Sequence, residues 1–163
     1  MSRQIEELLK SYPAMLQKRN CLVYQLAHFK GISAEEVIES MYTSRQDGER
    51  VQTSSLSDKT AQIAMVYRER QDRLNREWYE YLEQQLRLTN DELAFLEAAI
   101  RSLPGTQAEI MWDMVVEQMK WDAIEQKYRI SHTTLYRQRQ RAISELEKLY
   151  ARREHDLAAY LLQ

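Results

Sequence analysis

Apolar residues recur at helical spacing along most of the chain, and few breaking residues interrupt them. The first 30 residues predict a helix that is interrupted near Pro13, because a proline ring disfavours helical geometry in the residue before it. Gly31 ends this helix. Ser33 stands three residues before Glu36, a capping-box pattern that predicts a short second helix with Val37 on its apolar side.

A polar segment, residues 43–57, follows these N-terminal helices. It contains Asp47-Gly48 and several Ser and Thr residues without apolar periodicity, so it predicts a mobile linker. Ser57 then caps a long helix, since neither Gly nor Pro occurs again until Pro104.

The long helix carries an apolar stripe of near-heptad spacing with polar residues at the alternate positions. Trp78, Tyr81 and Leu82 widen the stripe, which favours packing in a bundle or against a second copy of the chain over an uninterrupted coiled coil. Thr89 with Glu92 forms another capping box, which predicts that the helix breaks just before Thr89 and restarts.

The C-terminal part predicts three further helices. Pro104 suits the first turn of a helix that runs through Val116, and a two-turn helix follows over residues 121–128. After a turn at Arg129-Ile130, Ser131 caps a helix that meets no breaker through residue 150. A short helix, a brief turn and a capped longer helix are the parts of a helix-turn-helix, whose second helix lies in the DNA major groove.

The capped helix has two different sides when its residues are placed about 100° apart. One side is apolar and is expected to pack against Ile124 and Ile130; it comprises Leu135, Ala142, Leu146 and Leu149. The opposite side is polar and is expected to face DNA; it comprises Thr133, Tyr136, Arg137, Gln140 and Ser144, with His132 and Arg141 at its margins.

Base reading is expected from the middle of the polar side. Arg137 and Gln140 carry donors suited to guanine and adenine edges, and Thr133 and Tyr136 suit a thymine methyl group or a phosphate.

Phosphate contacts are expected from the surrounding residues. The side chains of Lys127, Arg129 and Arg141 supply positive charge there. The helix start, with Ser131 and His132, offers backbone N–H groups for another phosphate.

The charge distribution agrees with this assignment. The chain has a formal net charge of −2, yet residues 120–153 hold nine basic and four acidic residues, a net +5, which leaves −7 for the remainder. A basic helix face balanced by neighbouring glutamates is the alternative interpretation, and the coincidence of cap, short helix and apolar face in one segment makes it the weaker one.

Other classes of function are disfavoured. No apolar run reaches the length of a membrane span or a signal peptide, so a cytoplasmic protein is expected. His28, His132 and His155 lack metal-site spacing, and Cys21 is interpreted as a core thiol. The chain holds no glycine-rich phosphate loop, serine elbow or Cys–His pairing, so neither an enzyme nor a bound cofactor is expected.

The C-terminal part resembles region 4 of bacterial sigma factors over about a third of the chain. The residues that carry the resemblance are Leu103-Pro104, Trp121-Asp122-Ala123-Ile124, the run from Ile130 to Tyr136, and Arg141-Ala142-Ile143. Upstream, Ile38-Glu39-Ser40-Met41, Ser57-Asp58-Lys59-Thr60-Ala61 and Tyr67-Arg68 are similar to small sigma-like regulators of prophages and conjugative elements in Gram-positive bacteria. The resemblance implies a regulator that activates such genes, with RNA polymerase as a candidate partner.

The chain departs from the region 4 pattern at three positions. Glu125 stands where the family has a small residue facing the second helix, and Arg129 replaces a frequent turn glycine. Arg139 replaces an apolar residue, so its stem is expected to cover the core edge while its charged head reaches outward.

We therefore expect an all-α protein in three parts. These are an N-terminal helical segment with a linker (1–57), a long helix for bundling or oligomerisation (58–102), and a sigma region 4-like helix-turn-helix that binds double-stranded DNA (103–163). Sequence-specific transcription regulation is the leading function. The alternatives are a DNA-packaging recognition subunit similar to a small terminase, which would form a closed ring, and a helical protein-interaction module without DNA affinity.

Overall fold

The computed structural model describes residues 2–33, Val37 and residues 56–162, and all regular secondary structure in this part of the chain is helical, which confirms the predicted all-α class. Its helices are α1 (Ser2–Ala27), α2 (Leu56–Arg101), α3 (Thr106–Val115), α4 (Trp121–Tyr128) and α5 (His132–Leu161). Of the predicted short helix after Ser33, only Val37 is described; it is helical and fully buried, and its N–H donates to the Ser33 carbonyl over 3.1 Å. Most of the predicted linker, residues 43–55, lies outside the described residues.

Helix α1 runs without interruption through Pro13, so the predicted break there is wrong. The ring of Pro13 removes one backbone donor from the helix. Ile5, Leu9 and Tyr12 share the side of α1 that is buried, and burial of each such side chain contributes about 1.5–3 kcal/mol, enough to offset that loss. The helix ends at Ala27, four residues before Gly31.

Helix α2 is likewise continuous, and the predicted break before Thr89 is wrong. Thr89 is itself buried inside the helix, and Leu93 and Leu96 continue the buried side beyond it. A capping-box sequence marks a helix start only where the preceding residues are not already helical, since helical neighbours satisfy the same N–H groups. The helix begins at Leu56, one residue before the predicted Ser57 cap.

Pro104 precedes α3 rather than lying in its first turn.

The chain divides into two compact units, and the larger comprises Met1–Asn20 with Leu88–Gln163. Its main core joins residues of α1, α2, α3 and α5. The fully buried members are Leu96, Ile100, Met111, Ala142, Ile143 and Leu146. The middle of α5 is therefore anchored on three other helices.

The smaller unit, Cys21–Arg87, is organised around a turn at Gly31. Gly31 has a φ of 80°, and a Cβ at this position would lie 3.0 Å from Oδ1 of Asn75. The same oxygen accepts a hydrogen bond from the Ile32 N–H over 2.6 Å, so glycine leaves room for the contact that ties this turn to α2. Cys21 is exposed rather than in the core, because the buried Leu22 beside it points about 100° away around the helix.

Tyr12 links α1 to α2 and makes the larger unit sensitive to alkaline pH. Its hydroxyl donates to Oε1 of Glu97 over 2.8 Å. Burial, followed by this hydrogen bond, raises the pKa of Tyr12 from 10.0 to about 12. Because the folded-state pKa is the higher one, the contribution of Tyr12 is fully present below about pH 10 and is lost as the pH rises toward 12.

We expect Tyr12→Phe to lower the free energy of unfolding by about 1 kcal/mol at neutral pH, through loss of the hydrogen bond. The variant should also lose less stability than the parent chain between pH 10 and pH 12. Urea denaturation at pH 7, 10 and 11 measures both effects, with the exposed Tyr24→Phe as the matched control. Identical pH profiles for Tyr12→Phe and the parent would contradict the assignment.

Candidate nucleic-acid interface

Helix α4 ends in a turn of defined geometry that sets the start of α5. Arg129 adopts the left-handed conformation, with φ 53° and ψ 44°. The Ile130 N–H then donates to the Glu125 carbonyl over 3.1 Å, and the Ile130 side chain packs with Ile124. This combination is a Schellman-type helix end, which usually places glycine where Arg129 stands.

Ser131 caps α5 as predicted. Its backbone is extended, and its Oγ accepts a hydrogen bond from the Thr134 N–H over 3.3 Å. The Ser131 carbonyl accepts from the Leu135 N–H over 2.9 Å, the first bond of the helix. The cap uses only one of the free N–H groups in the first turn, so the helix start retains donors for an anion.

A small core beneath the turn holds α4 and α5 together. It consists of Ile110, Ile124 and Leu135, all buried, with Trp121, Tyr128 and Ile130 packed around them. The predicted packing of Leu135 against Ile124 and Ile130 is thus confirmed. The rest of the predicted apolar side differs, because Ala142, Leu146 and the half-buried Leu149 belong to the main core with α1, α2 and α3.

Asp113 of α3 fastens α4 from the other side. Its carboxylate is nearly buried, and Oδ2 accepts hydrogen bonds from Lys127 Nζ over 2.6 Å and from the Tyr128 hydroxyl over 2.7 Å. The hydrogen bond to Asp113 raises the pKa of Lys127, and burial followed by the same carboxylate raises that of Tyr128. The ammonium group predicted to hold a phosphate is therefore engaged in an ion pair within the protein.

Sequence reasoning missed Asp113, although a signal was available. Asp113 is an acidic residue three positions after Ile110, and the other buried residues of this helix, Ile110, Met111 and Val115, are apolar. A carboxylate at such a position needs a partner, because burying an unpaired charge is costly.

Glu125 and His132 connect the two helices across the turn. His132 Nδ1 lies 2.7 Å from Glu125 Oε1, and the imidazole sits 4.9 Å from the Trp121 ring, measured between ring centroids. Glu125 thus contacts His132, the first residue of α5. It stands where the region 4 pattern has a small residue. His132 remains largely exposed at the helix start.

The polar side of α5 is open to solvent over its first three turns. Thr133, Tyr136, Arg137 and Arg141 are exposed, whereas Gln140 is half-buried. Ser131 and Arg129 are also exposed beside them. The structure thus brings the predicted base-reading and phosphate-holding residues, apart from Lys127, together on one surface, which we call the α5 face: Arg129, Ser131, His132, Thr133, Tyr136, Arg137, Gln140 and Arg141.

Basic residues of this segment divide by position into paired and unpaired groups. Arg139 points inward, is 16% exposed and lies 3.4 Å from Glu6. The prediction that its charged head reaches outward is therefore wrong. Arg153 pairs with Glu92 over 2.8 Å. By contrast, Arg129, Arg137 and Arg141 form no ion pair with any side chain in the described part of the chain. The α5 face therefore presents three guanidinium groups that are free to bind an anion.

No group of three His, Cys, Asp or Glu side chains within the described ranges is placed to hold a metal ion. None of the helices in those ranges is long and apolar enough to span a bilayer. Comparison of the chain with protein-family models, curated proteins and solved structures found no match. The resemblance to sigma region 4 therefore stays a prediction.

The left-handed Arg129 can be tested with two substitutions that remove the same charge. We expect Arg129→Gly to be more stable than Arg129→Ala by about 1 kcal/mol, because only glycine adopts this conformation without steric cost. Thermal and urea denaturation of the two variants measures the difference. Equal stability would show that the turn relaxes in solution.

Proposed function

We propose that the protein is a sequence-specific DNA-binding transcription regulator whose α5 face enters the major groove of duplex DNA. The observation that carries the proposal is the difference in pairing among the arginines, since the inward Arg139 and the more exposed Arg153 bind glutamates of other helices, whereas the arginines of the α5 face form no ion pair with described side chains. A site that binds phosphates and guanine edges needs cations without internal partners. The capped start of α5 and its fixed attachment to α4 supply the geometry in which such a helix is presented.

Arg137 is the leading candidate for base reading. It lies near the middle of the α5 face, with Thr133 one turn before it and Arg141 one turn after it. At 1.5 Å per residue, Thr133 to Arg141 spans about 12 Å, or roughly three to four base pairs at 3.4 Å each. Gln140 is half-buried, so it contacts adenine only if its side chain extends far enough from the surface.

The remaining residues are assigned to the DNA backbone or to support. Arg129, Arg141 and the start of α5 at Ser131 and His132 are proposed to hold phosphates. Lys127, which is bound to Asp113, is proposed to hold α4 in place and to contribute its charge at a distance.

The regulatory role is supported by the sequence resemblance to region 4 and to sigma-like regulators, which implies activation of prophage or mobile-element genes. A protein partner needs a separate surface. In the smaller unit, Trp78 and Tyr81 are about half exposed and stack on each other with ring centroids 5.4 Å apart, while Leu82 is buried. We propose this aromatic pair as the contact for RNA polymerase or a second copy of the chain.

The first measurement is binding to the DNA upstream of the protein's own gene and to a scrambled version of it, at two salt concentrations. We expect tighter binding to the natural sequence and a slope of log K against log salt of about −3 to −4, for roughly four phosphate contacts. Binding to neither DNA at low salt would exclude the proposal. The oligomeric state is measured alongside DNA binding by size-exclusion chromatography with light scattering, because a large closed ring would favour the packaging function.

Base reading is tested with Arg137→Ala, which we expect to weaken binding to the natural sequence by about 1–3 kcal/mol and binding to scrambled DNA by less. Arg141→Ala should weaken both equally, as a phosphate contact does. Arg152→Ala is the matched control, since Arg152 is an exposed arginine of the same helix about 22 Å further along it. If Arg137→Ala lowers the affinity for both DNA sequences equally, Arg137 contacts the DNA backbone instead of a base.

A further inference from the structure

A groove of about 490 Å³ lies between the first turns of α1 and the C-terminal half of α5, within the larger unit. Its floor is apolar and is formed by Ile5, Leu8, Tyr150 and Ala151. Its rim carries the carboxylates of Glu7, Glu147 and Glu154, and no basic side chain among those that the structure describes lines it. We call this feature the acidic groove.

The basic residues of α5 that neighbour Glu147 and Glu154 pair with other carboxylates. Arg153 binds Glu92, and Lys148 binds Glu145 over 2.7 Å. Glu147 and Glu154 form no ion pair with the side chains that the structure describes, and Oε1 of Glu147 is buried without a hydrogen-bond partner among them. A buried carboxylate oxygen without a donor is costly, and a cation bound at the accessible part of the same carboxylate would stabilise its negative charge.

The apolar floor continues past the groove along α5. With residues about 100° apart, Leu157 and Leu161 lie on the same side of α5 as Tyr150 and Glu154. They are 58% and 72% exposed, respectively, far more than leucines on the body of a helix that is packed. From Glu147 to Leu161 this strip is about 21 Å long, the length of roughly four helical turns.

The charge of the acidic groove decides what can occupy it. Carboxylates repel phosphates, so this part of α5 is unsuited to nucleic acid, and it lies about 15 to 25 Å from Arg137 along the helix. We propose that the acidic groove is a docking site for a basic amphipathic helix of a partner protein. Apolar side chains of that helix would cover the floor and the leucines beyond it, and its arginines or lysines would pair with Glu147 and Glu154.

The test uses the full chain and two labelled synthetic 16-residue helical peptides. Both carry leucine at helical spacing; one has arginine at the flanking positions and the other has glutamate. In fluorescence anisotropy we expect the arginine peptide to bind and the glutamate peptide not to bind. The variant E147Q/E154Q should bind the arginine peptide about tenfold more weakly, since the charge pairs with both glutamates are lost.

A matched variant controls for general attraction between a basic peptide and an acidic protein. E80Q/E83Q removes two exposed glutamates that line a different groove in the smaller unit, and it should bind the arginine peptide like the parent. Circular dichroism and urea midpoints verify that both variants fold. DNA binding should be unchanged in E147Q/E154Q, so failure of this proposal is distinguishable from failure of the DNA-binding function.

Three results would overturn the proposal. If the two peptides bind equally well, charge does not select the occupant. Equal losses in the two glutamine variants would show that the attraction is not local to the acidic groove. A dimer of the parent chain that dissociates in A151R, with no binding of the arginine peptide, would assign the groove to a second copy instead.

Discussion

The position of the α5 face depends on how α4 is held. Helix α4 has only eight residues, too few to be stable alone, so its place is set by the contacts it makes. Ile124 is fully buried against Ile110 and Leu135, and Asp113 binds the two residues at the end of α4. An apolar contact fixes the distance between the helices, and the directional bonds from one carboxylate fix how α4 is rotated about its axis.

Helix α5 connects the contacts of α4 to the main core of the larger unit. Leu135 belongs to the small core with α4, whereas Ala142, Ile143 and Leu146 belong to the main core, so one continuous helix is buried in both. Movement of its first turns relative to α1 would require bending the helix or opening the main core, and both are costly in a close-packed interior. The α5 face and the acidic groove are consequently held at a fixed separation along a single helix, each with its own charge.

Features that depend on neighbours in the sequence could be predicted, and those that depend on distant partners could not. The Ser131 cap, the bounds of α4 and the exposure of Arg137 follow from capping chemistry and helical periodicity. The continuity of α1 through Pro13 and of α2 through Thr89 results from burial against other helices, which overrides a local signal. The pairing of Lys127 with Asp113, and of Arg139 with Glu6, joins residues on different helices, and no periodicity within one helix reveals such a partner.

If the chain binds DNA as proposed, the negative charge of its remainder has a part in recognition. The total of −2 conceals a basic segment of +5 beside a remainder of −7, and a uniform distribution of the same charges would attract DNA nowhere. With the charges segregated, phosphates are attracted only toward the segment that contains the α5 face, and the acidic surfaces elsewhere repel them. In the proposed function, this would restrict the orientations in which the protein meets DNA and weaken binding through any other surface. Because non-specific affinity comes almost entirely from phosphate contacts, a small number of unpaired arginines on the α5 face would leave more of the binding energy to the base contacts.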